Sequence, residues 1–277
     1  MQTSVSDAAA LAELAPRAGS TLYYVLLYAP MPLRQALTLI ESFRQLMISI
    51  PLTCSNLDLA HAKLAWWHEE VERIGGGVPR HALGRALVPW VQTHPALHIA
   101  LQTNVLGITQ LLTATRFASR GERFAAYSQT HAGLWAMHAS LSGATSGELL
   151  AAAGRAGSLV QLSYALNELR QHVDSGIAII TRDSEPPSLP GDQLANAAWY
   201  AALAARDIAA LQDELRAACA ALPRGATLRT LKVAAALALA TLAEVAADGS
   251  RVWEHRIELT PLRQLWLAWR TRILGGL

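Results

Sequence analysis

An all-α fold, built as one helical bundle, is what this chain of 277 residues predicts. Apolar residues make up 52% of it and recur with helical periodicity in segments rich in Ala and Leu, while strand signals are almost absent. Charged residues are only 16%, which argues for much core, little solvated surface and no disorder. The length suffices for one large core or two small ones.

The elements follow from where proline and glycine punctuate the pattern. A first helix is predicted over residues 20–27, stopped by Pro30 and Pro32, and a second over residues 33–50, ending before Pro51. A third covers residues 57–74 and stops at Gly75-Gly76-Gly77 and Pro79. No lysine follows that glycine run and no strand precedes it, so it ends a helix and does not cradle a phosphate. Further helices are predicted over residues 82–92, 97–117, 120–141, 146–171, 194–222, 228–247 and 262–274. The segment 183–191 (DSEPPSLPG) is the clearest loop, with three prolines in nine residues. Apolar helices on both sides make it a loop within one bundle. Residues 1–19 read as an N-terminal extension free to be flexible, and residues 20–277 as a single helical domain.

Composition also narrows function. A net charge of +2 gives no reason to expect a nucleic acid partner. Cys54 and Cys219 follow no metal spacing and read as reduced core thiols of a cytoplasmic protein. The N-terminus, MQTSVSDAAALAEL, lacks the basic and apolar regions of a secretory signal. The uncharged runs at 86–115 and 124–147 are interrupted by Gln, Thr, Ser, His or Pro, so they suit the centre of a bundle better than lipid.

Several segments together resemble the squalene/phytoene synthase family, the head-to-head isoprenyl diphosphate synthases. STLYYVLLYAP (20–30) is similar to the family's S-F-Y-x-A-x-x-x-L-P helix. AKLAWWHEEVERI (62–74), with the glycines, His81-Ala82-Leu83 and Arg85-Ala86-Leu87, is similar to its W-W-x-x-E-L block. YSQTHAG (127–133) resembles Y-C-x-x-V-A-G, and WYAALAARD (199–207) resembles Y-Y-x-x-A-x-x-D. The resemblance covers roughly residues 20–273 and implies a single isoprenoid-synthase-type bundle around a central apolar cavity.

QLSYALNELRQHVDSG (161–176) resembles the family's second aspartate-rich helix, Q-L-T-N-I-L-R-D-x-x-x-D-x-x-x-G, with Gln161, Leu162, Leu166 and Gly176 matching. Its two metal-binding aspartates fall on Glu168 and His172. Phe43-Arg44-Gln45 resembles F-C-R-E, which puts the first motif, D-D-x-x-D, on Met47, Ile48, Ser49, Ile50 and Pro51. Carboxylates at i and i+4 share a helix face, where they can hold Mg²⁺ ions that neutralise a departing diphosphate. No D-x-x-x-D or D-D-x-x-D occurs anywhere in the chain. No metal and no cofactor are therefore expected at Met47, Pro51, Glu168 and His172.

Three functions fit this pattern. The favoured one is a catalytically degenerate member that binds a prenyl lipid or prenyl diphosphate in the central cavity, or serves as an assembly or partner subunit beside a companion synthase. The second is an active synthase on farnesyl or geranylgeranyl diphosphate through an altered site, needing Mg²⁺ and using Glu168, His172, Arg44 and Tyr24. The third is a structural interaction protein with a filled cavity.

Other constellations have plainer readings. Glu168 with His172, and His94 with His98, share metal-like spacing but read as helix-face neighbours, with Pro95 placing His94 at a helix start. His131 and His138 read as core histidines, and Glu69, Glu70 and Glu72 as a face paired with Arg73. The tail from Arg251 to Leu277 holds Trp253, Trp266 and Trp269 among five arginines. From Leu262 onward it is a basic amphipathic helix, read either as a last core-packing helix or as a peripheral contact with an anionic membrane.

Overall fold

The computed structural model describes residues 16–114, 116–181 and 193–275. These form eleven helices: α1 (Thr21–Leu26), α2 (Leu33–Thr53), α3 (Leu57–Gly75), α4 (Ala82–Thr93), α5 (Pro95–Thr113), α6 (Arg120–Leu141), α7 (Gly147–Asn167), α8 (Leu169–Asp174), α9 (Gln193–Ala220), α10 (Arg229–Ala247) and α11 (Pro261–Leu274). Several starts are fixed by side-chain caps that accept an otherwise unbonded N–H. Ser20 accepts from Tyr23, Asn56 from Leu59, Ser119 from Glu122 and Ser146 from Leu149. Pro95 and Pro261 occupy first-turn positions, where a missing N–H costs nothing. The loop predicted at 183–191 and most of the N-terminal extension lie outside the described residues.

Three boundaries differ from the sequence reading. Helix α2 does not end before Pro51 but runs through it to Thr53. In a last turn proline removes a single hydrogen bond, and burial of its ring accompanies the continuation. Helix α5 starts at Pro95 and ends at Thr113, short of Phe117. There the backbone turns extended at Ala114, and Phe117 forms an isolated parallel bridge with Thr181. The predicted helix 146–171 is two helices, broken at Glu168, whose backbone leaves helical geometry at φ −108° and ψ 28°. The Asn167 side chain explains the break. It donates to Ile257 O (2.9 Å) and accepts from Ile257 N (3.1 Å), so the segment before α11 grips the end of α7.

Helix α7 is the axis of the bundle. It is buried on nearly every side, as its weak amphipathicity requires, and packs against α6, α9 and α10. Small residues bring α5, α6 and α7 together: a Cβ on Gly107 would lie 2.4 Å from Thr130 Oγ1, and one on Gly157 would lie 2.0 Å from Trp135 Cγ. A buried ion pair, Arg123 to Asp207 at 2.5 Å, ties α6 to α9, and Arg123 also donates to Ile179 O. Helix α10 is the one described helix long and apolar enough to cross a membrane. Its buried residues include Val233, Ala234, Leu237 and Leu242, which belong to the common core.

Replacing Gly157 by alanine would gain up to about 1 kcal/mol of helix propensity. The indole base of Trp135 cannot retreat as a flexible chain end does, so overpacking of about 1–3 kcal/mol dominates. Thermal or urea denaturation of Gly157→Ala is expected to show a net loss of stability, whereas Gly147→Ala, which meets nothing within 4 Å, is expected to show none.

Candidate functional site

Helices α2 and α7 carry the segments that resemble the two metal motifs, and what joins them is a buried polar chain. Glu41 and Arg44 lie one turn apart on α2. Arg44 donates to Glu41 Oε2 through Nε (2.8 Å) and Nη2 (2.5 Å), and through Nη1 to Gln161 Oε1 of α7 (2.5 Å). Both charged residues are buried. His138 of α6 brings Nε2 to 3.1 Å from Glu41 Oε1, at an angle that falls short of a hydrogen bond. Burial alone would raise the Glu41 pKa, but the charge of Arg44 and the His138 imidazole outweigh it and hold it at about 2. The glutamate is thus ionised at neutral pH, and its charge cancels that of Arg44.

The four positions that the resemblance assigns to metal ligands are built differently. Met47 is fully buried and belongs to the hydrophobic core, as does Ile50, while Pro51 is buried beside them. Neither Met47 nor Pro51 offers an oxygen ligand. Glu168 sits at the break between α7 and α8, with Oε1 at 2.5 Å from Arg256 Nη1. Burial raises its pKa, against the opposing charges of Arg256 and Arg44. His172 is buried, its Nδ1 3.1 Å from the Glu168 backbone oxygen, and burial lowers its pKa to about 4. The pair therefore meets through a main-chain carbonyl and not as two side chains facing one ion. Hard dications need several anionic oxygens, and this set does not fit Mg²⁺. Among the described residues no group of three or more His, Cys, Asp or Glu is placed to hold a metal.

Tyr24, also a sequence candidate, is buried on α1, which packs against α2, α10 and α11; its ring meets Tyr23 edge-on. It shares no hydrogen bond with Arg44. Elsewhere, Arg73 pairs with Glu70 (2.8 Å) and Glu69 (3.3 Å), while buried Glu70 accepts from the backbone of Arg80 and His81. His94 stands at the α4–α5 junction and His98 bonds Val71 O, so they do not converge. His131 is buried beside Asn104. Beside Glu168 and Arg256 opens a hollow of about 360 Å³, lined also by Asn167, Arg170, Asp174 and Trp253.

Sequence reading missed Glu41, Asn167 and Arg256 as members of this site. Glu41 carries a legible signal, being the one acidic residue of α2 and one turn before Arg44. Asn167 and Arg256 carry none, since Asn167 bonds Ile257 and Arg256 pairs with Glu168, each far along the chain.

The buried histidines set an acid limit. His131 and His172, held at about 3 and about 4, stay neutral when folded while the unfolded chain takes up protons below about 6.5. Their stabilisation is complete above that pH and is lost as pH falls toward the folded values, with Glu41 adding a loss between about 4.5 and about 2. His172 alone accounts for about 3 kcal/mol. Urea midpoints measured from pH 7.5 to 4 are expected to fall most steeply below 6.5, and His172→Gln is expected to flatten that slope whatever it does to stability at pH 7.5.

Comparison with known proteins agrees with this architecture. The family description "Squalene/phytoene synthase" matches residues 15–263. No curated protein sequence matches. Among solved structures, the chain is similar to squalene synthase HpnC from Alicyclobacillus acidocaldarius, with 17% identity and a TM-score of 0.68 over 88% of this chain and 95% of that one. It is also similar to a dehydrosqualene synthase in complex with ligand, with 14% identity and a TM-score of 0.76 over 97% of this chain and 96% of that one. With the family match spanning most of its length and the same all-α architecture, the chain belongs to the squalene/phytoene synthase family.

Proposed function

We propose that this family member does not ionise prenyl diphosphates with metal ions, and that it binds a prenyl lipid as a non-catalytic subunit of isoprenoid-lipid metabolism. One observation carries the reading. On α2 the metal positions are the oxygen-free side chains of Met47 and Pro51, and across from them the one carboxylate, Glu168, is spent on Arg256. A departing diphosphate would meet no clamp of cations, which is the main electrostatic aid to its departure. Arg44 does not replace the clamp, because Glu41 already balances its charge.

Polar capacity remains in the same place. Among the described residues Gln161 Nε2 and His138 Nδ1 are buried without a hydrogen-bond partner, a condition that folded proteins seldom leave unmet. An uncharged polar end, such as a prenyl alcohol, suits these two groups better than a dianionic diphosphate does. The similar solved structures, a squalene synthase and a dehydrosqualene synthase in complex with ligand, support the lipid class.

The purified protein is expected to release no diphosphate from farnesyl or geranylgeranyl diphosphate above the buffer rate, with Mg²⁺ or Mn²⁺ present. Farnesol is expected to quench its tryptophan fluorescence saturably, and Gln161→Leu is expected to weaken that binding about tenfold, the value of one buried hydrogen bond. Metal-dependent diphosphate release that Glu168→Gln abolishes would instead establish an active synthase with an altered site.

A further inference from the structure

Helix α11 has two faces, and among the described residues only one is occupied. Gln264, Leu267, Ala268 and Thr271 are buried toward the bundle, where α11 packs on α10 and α1. The opposite face is apolar and open to solvent: Leu262 is 80% exposed, Trp266 52%, Trp269 50% and Ile273 62%. At about 100° per residue these four project within a sector of about 60°, and Leu265 extends it on one side. The exposed stripe is thus continuous along all the turns of the helix. Isolated exposed apolar residues need no explanation, but a contiguous stripe with two indoles marks a contact surface.

Charge says what the surface meets. Arg263 and Arg270 border the stripe on one side and Arg272 on the other, and Pro261–Leu274 contains no acidic residue. Arg263 is paired with Glu244. Arg270 lies over the Trp266 ring at 5.5 Å and Arg272 over Tyr28 at 4.8 Å, so their charges stay near the level of the stripe. Indoles at the centre with guanidinium groups at the edges match the boundary between acyl chains and anionic headgroups. A second copy of the chain fits less well, because a symmetric pairing would press the arginine borders together with no acid on the helix to relieve them. A nucleic acid would leave Leu262 and Ile273 without an apolar partner.

We infer that the outward face of α11 docks the protein on an anionic lipid bilayer, lying in the interface with Trp266, Trp269, Leu262 and Ile273 inserted and Arg270 and Arg272 at the headgroups. The contact is peripheral, since the opposite face of the helix stays in the bundle. It stands independently of whether the interior binds a lipid.

Co-sedimentation with vesicles tests this, comparing pure phosphatidylcholine with vesicles roughly a third phosphatidylglycerol. The full-length protein is expected to pellet with the anionic vesicles, to shift its tryptophan emission to the blue, and to release at high salt. Trp266→Ser with Trp269→Ser is expected to lose binding at least tenfold with an unchanged circular dichroism spectrum, both side chains being half exposed. Arg270→Gln with Arg272→Gln is expected to lose roughly tenfold or more for anionic vesicles only. Failure to pellet with anionic vesicles, equal binding by the tryptophan variant, or a light-scattering mass of two copies that falls to one in that variant would each overturn the inference.

Discussion

The Glu41–Arg44–Gln161 chain is the constraint on which the centre of this protein depends. Two opposite charges buried in a helical core are tolerated only together, because removing either partner strands the other at a cost of about 3–5 kcal/mol. Gln161 extends the pair across to α7, so one arginine connects the axis of the bundle with α2. It also sets the electrostatic character of the interior: a buried pair whose two charges cancel.

Much of the fold was legible in the sequence, and the reason is local. Ser20, Asn56, Ser119 and Ser146 cap helices within three residues of themselves, and the 3.6-residue pattern marks the buried faces. The boundaries that went astray were set by distant partners. Asn167 is gripped by Ile257, ninety residues on, and no local pattern announces that Glu168 will end α7. Pro51 shows the reverse failure: a local rule predicted a stop, yet so near the C-terminal end the missing hydrogen bond was too small a loss to end the helix. The site was legible as far as residue identity goes, at Met47, Pro51, Glu168 and His172. Its electrostatics were not, because the partner of Glu168 is Arg256 and the partner of Arg44 is Glu41.

The break at Glu168 has the widest consequence. Glu168 and His172 still share the helical bond from His172 N to Glu168 O, at the i, i+4 spacing that puts residues on one face. The Glu168 carboxylate is nevertheless drawn to Arg256 at the rim of the hollow, and the His172 ring lies against the main-chain oxygen of Glu168 itself. Aspartates at both positions would meet the same backbone and the same Arg256. The carboxylates would be displayed by a helix end that Asn167 has already tied to the segment before α11, facing an arginine and not an open ion site. Substitution and backbone geometry at this place are coupled through Asn167, which lies within the segment 161–176, and Arg256, which lies outside it. The geometry here is a property of how α7 ends as much as of the side chains it carries.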